Sequence, residues 1–86
     1  MPAWYLYIAR CSDNSLYTGV TIDVERRINE HNNCNKKSAK YTRVRRPITL
    51  EYQESFPSKQ LAYQREYRIK QLSKIQKEQL IQLSTT

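Results

Sequence analysis

The sequence has a single glycine, Gly19, and one histidine, but seven tyrosines. Glycine is used where the backbone needs a positive φ or where another group must approach closely. A chain that otherwise lacks glycine therefore has a special requirement at position 19. Gly19 ends the triplet Tyr17-Thr18-Gly19, which follows Tyr5-Leu6-Tyr7 by nine residues. Tyr7 and Tyr17 are therefore predicted to lie beside this backbone feature, and the chemistry is expected there.

Long apolar runs are also missing. No stretch approaches the roughly 20 apolar residues of a membrane span, and polar residues interrupt the N-terminal region where a signal peptide would be apolar. The two cysteines, Cys11 and Cys34, have no CxxC spacing, which predicts free thiols rather than a zinc site. We therefore expect a cytoplasmic protein with no membrane segment.

Acidic residues are few, with eight Asp and Glu against fifteen Lys and Arg, and the net charge is +7 at pH 7. The basic residues are spread along the chain, which favours a folded basic face over a disordered tail. Such a face predicts an anionic partner, most commonly nucleic acid. With 86 residues, the chain has the size of one small domain, and we expect residues 1–86 to form it.

Turn and helix signals divide the chain into six elements. Apolar stretches at 4–11 and 16–21 flank a polar turn and predict a β-hairpin, and alternation over 48–54 predicts a third strand with one buried face. Asp23 is the predicted cap of a helix to about residue 32, followed by a polar loop at 32–38. Ser58 is the predicted cap of a long helix, and Ser73 with Gln76 forms the capping box of a last helix that ends near 83. The order ββαβαα predicts an α+β domain, a three-stranded antiparallel sheet flanked by helices.

A glutamate interrupts the apolar stripe of the long helix. Positions three and four apart share a helix face, so residues 62, 66, 69 and 73 are predicted to face inward. Residue 66 is Glu66, and an unpaired buried carboxylate costs several kcal/mol. Two interpretations are open: an ion pair with an Arg or Lys at the edge of the stripe, or a functional ligand.

The first predicted helix carries two polar residues on its inner face. Val24 and Ile28 define that face, and Arg27 and His31 fall within it, whereas Arg26 points away. His31 can be structural, or it can serve proton transfer as a neutral imidazole one turn beyond an inward arginine.

Together these side chains suit phosphodiester hydrolysis, which needs a cation on the phosphoryl oxygens, an activated water and usually a divalent metal held by carboxylate. Glu66 is the predicted ligand of one Mg²⁺ or Mn²⁺, and Arg27 is predicted to make a forked contact to the scissile phosphate. Tyr7 or Tyr17 is the candidate base, because nearby positive charges would lower the pKa of a tyrosine from about 10. The predicted catalytic residues are Tyr7, Tyr17, Arg27, His31 and Glu66.

These segments resemble the GIY-YIG endonuclease superfamily, in particular its small stand-alone URI-domain proteins. Tyr5-Leu6-Tyr7 stands where the family has GIY, and Tyr17-Thr18-Gly19 where it has YIG. Residues 19–31 match its pattern of glycine, short link, arginine and histidine or tyrosine, and residues 65–70 match the helix of its metal-binding glutamate. The resemblance covers residues 4–83. It implies that Glu66 binds the metal, Arg27 binds the phosphate, and Tyr17 is the base with Tyr7 as its supporting partner.

Two positions depart from the family pattern. Val20 stands where repair nucleases of the superfamily carry a lysine, and no asparagine follows Asn35, although many members have one beyond the glutamate helix. Larger relatives add domains that choose the DNA target. Specificity is therefore expected to come from this domain or from a protein partner.

A further segment, residues 36–46, is predicted to bind nucleic acid. It carries six basic residues around Tyr41, so cations can follow the phosphates while Tyr41 stacks on an unpaired base or packs on a sugar. The alternative is a solvated basic loop with Tyr41 in the core. The candidate residues are Lys36, Lys37, Lys40, Tyr41, Arg43, Arg45 and Arg46.

The sequence leaves the function open between two main classes. The first is a metal-dependent endonuclease that acts on DNA more than RNA and selects branched, flapped or single-stranded substrates, since no recognition helix is evident. The second is a non-catalytic nucleic-acid-binding module with the same fold. A weaker third is a protein-interaction domain whose charge serves solubility. A monomer or weak dimer is expected.

Overall fold

The computed structural model describes residues 3–84. The elements are β1 (Trp4–Arg10), β2 (Leu16–Thr21), α1 (Val24–Asn33), α2 (Lys40–Arg43), β3 (Thr49–Phe56), α3 (Lys59–Lys70) and α4 (Lys74–Ser84). The predicted α+β fold with the order ββαβαα is confirmed, and α2 is a single additional turn that the sequence patterns did not predict. Residues 1–2 and 85–86 of the predicted domain lie outside the described residues.

The three strands form one antiparallel sheet in the order β2-β1-β3. The predicted hairpin is confirmed, and its register places Tyr7 on β1 directly opposite Gly19 on β2. In its turn Asn14 has a φ of 70°, and the Asp13 carboxylate accepts a hydrogen bond from the Ser15 amide. Polar residues at a tight turn therefore set the register that brings the two tyrosine triplets together.

The third strand, β3, does not have the single buried face that the sequence predicted. Ile8 pairs with Tyr52 and Ala9 pairs with Leu50, so Glu51 is an extra residue between two ladder positions. A bulge of this kind shifts the alternation of side chains by one residue. Leu50 therefore packs against one face of the sheet, whereas Tyr52 packs against the other.

Helices cover both faces of the sheet. On one face Tyr7 and Ala9 pack with Val24 of α1. On the other face the core cluster joins β1 to α3 and α4 and consists of Leu6, Ile8, Ile69 and Ile81. Because β1 lies in the middle, four consecutive residues, 6–9, are buried. This two-sided packing places α1 and α3 on either side of the hairpin that carries the tyrosine triplets.

The helix starts follow their predicted caps. The Asp23 side chain accepts a hydrogen bond from the Arg26 amide, and the Ser58 hydroxyl accepts one from the Leu61 amide. At α4 the reciprocal bonds of a capping box join Ser73 and the residue three positions on, as predicted. Within residues 3–84, no helix is long and apolar enough to cross a membrane.

Candidate active site

The site is built around the close approach of Tyr7 to Gly19. A Cβ atom at position 19 would lie 2.5 Å from Tyr7 Oη and 2.6 Å from Tyr7 Cζ. The φ of Gly19 is not positive, so the glycine is required for space and not for an unusual backbone conformation. Of the two reasons considered for this glycine, the structure selects the close approach.

A directed chain of hydrogen bonds begins at Tyr7. Its hydroxyl lies 2.8 Å from His31 Nε2, and His31 Nδ1 lies 2.7 Å from Thr42 Oγ1. The Thr42 hydroxyl donates its one proton to the Ala39 carbonyl at 3.0 Å, so it must accept from His31 Nδ1–H. The imidazole therefore carries its proton on Nδ1, and Nε2 accepts a hydrogen bond from the Tyr7 hydroxyl.

The chain lies in the interior, where Tyr7 is 1% exposed and His31 and Thr42 are 0% exposed. Burial lowers the pKa of His31 to about 4, and the positive charges of Arg27 and Arg46 act in the same direction. The negative charge of Glu30 opposes this shift only in part. The imidazole is therefore neutral at pH 7, as the proton-transfer interpretation of the sequence requires.

The Tyr7 phenol differs from the expectation that positive charge would lower the pKa of a site tyrosine. Burial raises the pKa of Tyr7 above its ordinary value, the neighbouring Tyr17 raises it further, and Arg27 offsets only part of the increase. Desolvation outweighs the nearby cation because the charged form loses its hydration. Tyr7 is thus a neutral donor to His31.

Tyr17 is the more accessible of the two tyrosines. It is half-buried on β2, with its ring edge-on to His31 at 5.2 Å and its centroid 6.3 Å from that of Tyr7. Tyr41 stacks on Tyr17 with ring centroids 6.1 Å apart. The predicted pair of tyrosines therefore belongs to one aromatic cluster, in which Tyr17 lies between the buried Tyr7 and the exposed Tyr41.

Arg27 lies on the inner side of α1, as predicted. Its side chain is 23% exposed, against 54% for Arg26. Arg27 Nη1 donates to Glu30 Oε1 at 3.2 Å and to the Lys37 carbonyl at 2.6 Å. The guanidinium is thus held beside the phenol of Tyr7, where its charge favours an anion.

Glu66 occupies the edge of the inner face of α3, between the fully buried Ala62 and Ile69. Its side chain is 18% exposed, and Oε2 lies 3.5 Å from Lys70 Nζ. Its charge also contributes to the raised pKa of Tyr7. Both interpretations of the sequence stay open, because the carboxylate has a lysine partner and is also close enough to act electrostatically on Tyr7.

The donor set fits a metal ion that shares its coordination with substrate. No group of three or more His, Cys, Asp and Glu side chains suited to a metal ion occurs in the described part of the chain. An ion such as Mg²⁺ usually keeps several waters and is held by one or two carboxylates plus substrate phosphates. Glu66 suits this arrangement, in which a single carboxylate and the substrate phosphate share the ion.

The basic segment divides by side-chain type. Lys36, Lys37 and Lys40 are exposed. The arginines instead bind other groups of the protein: Arg46 Nε donates to the carbonyl of His31 in α1 at 2.7 Å. Arg43 bonds Ser38, and Arg45 pairs with Asp13 and lies over Tyr41 with 3.9 Å from Cζ to the ring centroid. In this arrangement the lysines are the cations most available to phosphates.

Two features of the site escaped sequence reasoning. Thr42 bonds His31 across eleven positions, and no local pattern marks such a pair. The second is a surface groove on α3 lined by Tyr63 and Tyr67, which are 45% and 69% exposed. The buried positions of that helix are Ala62 and Ile69.

The site geometry agrees with the comparison to known proteins. The GIY-YIG catalytic domain family matches residues 3–79. The chain belongs to this family. A UPF0213 protein of Halobacterium salinarum is 57% identical to this GIY-YIG domain over 76 residues, which cover 88% of this chain and 96% of that protein. A UPF0213 protein of Staphylococcus haemolyticus is 54% identical over 82 residues, covering 95% and 98%.

Two solution NMR structures resemble this GIY-YIG domain. A UPF0213 protein of Bacillus halodurans has a TM-score of 0.60 and 49% identity, covering 94% of this chain and 84% of that one. A protein of E. faecalis has a TM-score of 0.65 and 34% identity, covering 99% and 88%. The resemblance to the superfamily that the two triplets indicated is confirmed.

Proposed function

We propose that this GIY-YIG domain is a metal-dependent endonuclease that hydrolyses phosphodiester bonds in DNA and selects its substrate by structure. The observation that supports the proposal is the convergence of five side chains from four elements around Gly19. They supply a phenol, an acceptor for a proton, a cation and a carboxylate, which is the set that phosphodiester hydrolysis requires. The five are Tyr7, Tyr17, Arg27, His31 and Glu66.

Tyr17 takes the proton of the attacking water in this proposal. Tyr7 is buried and donates to His31, so its oxygen cannot meet a solvent water. The two phenols are close enough for an ionised Tyr17 to raise the pKa of Tyr7. Of the two phenols, Tyr17 is therefore the one that such a water can reach. Tyr7 supports it by holding His31 and the wall of the site in place.

Arg27 and Glu66 act on the phosphate. The guanidinium of Arg27 neutralises charge on the phosphoryl oxygens as the water oxygen bonds to phosphorus and the bond from phosphorus to the leaving oxygen breaks. Glu66 would hold the divalent ion, Mg²⁺ or Mn²⁺. When bound, such an ion stabilises charge on the phosphoryl and leaving oxygens.

Structural selectivity follows from the type of contact available. The exposed lysines of residues 36–40 can bind phosphates, which carry no base identity. The substrate would therefore be chosen by the path of its backbone, as in a flap or a junction, or with help from a protein partner. DNA in preference to RNA, the cytoplasmic location and the monomeric or weakly dimeric state stay predictions.

A non-catalytic nucleic-acid-binding module is the second candidate. Val20 in place of the lysine found in repair nucleases and the neutral Tyr7 favour it. In that case the basic surface would bind DNA without turnover.

Cleavage of labelled DNA distinguishes the two functions. Duplex, single-stranded, flap and four-way-junction DNA are incubated with Mg²⁺ or Mn²⁺, with EDTA as the metal-free control. Cleavage that disappears in Glu66→Gln but persists in Glu25→Gln, which removes an exposed carboxylate from the first turn of α1, would support the nuclease. Binding of every substrate with no cleavage of any would select the binding module instead.

A further inference from the structure

A cavity of about 260 Å³ adjoins the candidate active site at the free edge of β2. Four elements, β2, α2, α3 and α4, contribute to its wall. It is smaller than the roughly 300–1,000 Å³ of small-molecule pockets, yet it has room for several waters of about 30 Å³ each. This size suits one anionic group with its hydration. The lining residues are Leu16, Tyr17, Thr18, Tyr41, Lys70 and Lys77.

The charge in the cavity is entirely positive. Lys70 and Lys77 line it, and no Asp or Glu does. Lys77 is half-buried on α4 and forms no ion pair with an Asp or Glu among residues 3–84. Lys70 has one such contact, at 3.5 Å from Glu66. Two ammonium groups at one opening, of which one lacks a counterion, favour the binding of an anion.

Thr18 adds a polar group that the fold leaves unused. Its residue is 4% exposed, and its hydroxyl is the one buried side-chain N or O atom in the described region without a hydrogen-bond partner. Buried polar groups nearly always have a partner. Thr18 lines the cavity, but its hydroxyl oxygen is closed off from solvent, so the two lysines are the groups that can hold an anion there.

The cavity lies beside two residues of the candidate active site. Tyr17 lines the cavity and belongs to the aromatic cluster of the candidate active site. Lys70 lines the same cavity and contacts Glu66, the predicted metal ligand. An anion bound here would therefore lie beside the residues that are proposed to act on the scissile phosphate.

We propose that this cavity is the subsite for the phosphodiester that adjoins the scissile one, held by Lys70 and Lys77. The inference rests on the proposed function for the identity of the strand, and on the cavity itself for the anion. Tyr41 borders the subsite, and its ring already packs on Tyr17 and under Arg45. The contact reads the backbone and not the bases, in keeping with selection by structure.

The test measures binding of flap DNA in EDTA, so that cleavage does not interfere. Lys77→Gln removes the lysine that has no carboxylate partner in the described part of the chain, and Lys77→Arg restores a cation. Lys74→Gln is the matched control, since it removes the same charge from the same helix at a lysine that pairs with Glu78 at 2.6 Å. Lys77→Gln should weaken binding roughly tenfold relative to Lys74→Gln, and should reduce the slope of log K against log salt by about one.

A neutral methylphosphonate, placed at one phosphate position at a time, locates the contact. One position should cost affinity in wild type and Lys74→Gln but not in Lys77→Gln, and it should adjoin the bond cut when metal is restored. Equal affinity and equal salt slope for Lys77→Gln and Lys74→Gln would overturn the subsite, whether or not the protein cleaves. If one phosphate position depends on Lys77 but the protein cuts no substrate, the anion site at Lys77 is supported and the nuclease proposal is refuted.

Discussion

Replacing Thr42 by valine should disturb the protonation of His31. The substitution nearly preserves the volume of a side chain that is fully buried and removes only its hydroxyl. In the wild type, the Thr42 hydroxyl accepts a hydrogen bond from His31 Nδ1–H at 2.7 Å and donates one to the Ala39 carbonyl. Without it, Nδ1–H has no acceptor in its present position, and the proton is favoured on Nε2, where the Tyr7 hydroxyl would have to accept it.

The size of the effect follows from burial. A buried donor that loses its partner costs about 1–3 kcal/mol, and His31 is 0% exposed. For a domain of this size each kcal/mol lowers the melting temperature by about 4–8 °C. The melting temperature of Thr42→Val should therefore lie several degrees to about 20 °C below that of the wild type. Thr42→Ser keeps the hydroxyl, so its melting temperature should remain near that of the wild type.

Nitrogen-15 NMR of the single histidine reports the tautomer directly. Wild type and Thr42→Ser should show a protonated Nδ1 and an unprotonated Nε2, and Thr42→Val should show a shift toward protonated Nε2. A wild-type His31 with its proton on Nε2 would refute the hydrogen-bond direction. An unchanged melting temperature and tautomer in Thr42→Val would refute the positioning role of Thr42.

Three further predictions concern the same site. Gly19→Ala should lose about 1–3 kcal/mol of stability by thermal melting, because the new Cβ would lie 2.5 Å from Tyr7 Oη. Arg27→Lys should lower the rate of DNA cleavage roughly tenfold or more, with little change in affinity, since lysine cannot form the forked phosphate contact. The free energy of unfolding should fall by about 3 kcal/mol as the pH drops from above 6.5 to 4, because the unfolded chain binds the His31 proton more tightly.

Each of these has a control and a contrary result. Val20→Ala tests whether any change on β2 mimics Gly19→Ala, and a Gly19→Ala protein of wild-type stability would contradict the steric requirement. Arg26→Lys is the control on the same helix, and equal losses of rate and affinity in Arg27→Lys would mean that Arg27 only binds. His31→Gln should remove most of the loss of stability between pH 6.5 and 4, and a loss of undiminished size in this variant would assign the titration to other groups.

Local signals in the sequence predicted most of the architecture. The hairpin, α1, α3 and α4 were recognisable because a cap or a turn is made by residues within a few positions of one another, as at Asp23 and Ser73. Side-chain spacing also separated the inward Arg27 from Arg26. The β-bulge at Glu51 was not predictable in this way, because it depends on the register between two strands far apart in the chain.

The sequence by itself determined the elements, the basic charge and the two tyrosine triplets that mark the GIY-YIG family. Only the tertiary structure decided that Gly19 makes room for a ring, that His31 accepts from Tyr7, and that Lys77 lies beside a cavity without a carboxylate partner among residues 3–84. The physical reason is the distance along the chain over which each interaction acts. Periodicity and capping act within a helix turn or a hairpin, whereas the Tyr7–His31 bond spans 24 positions and exists only because the sheet and helices pack together and exclude water.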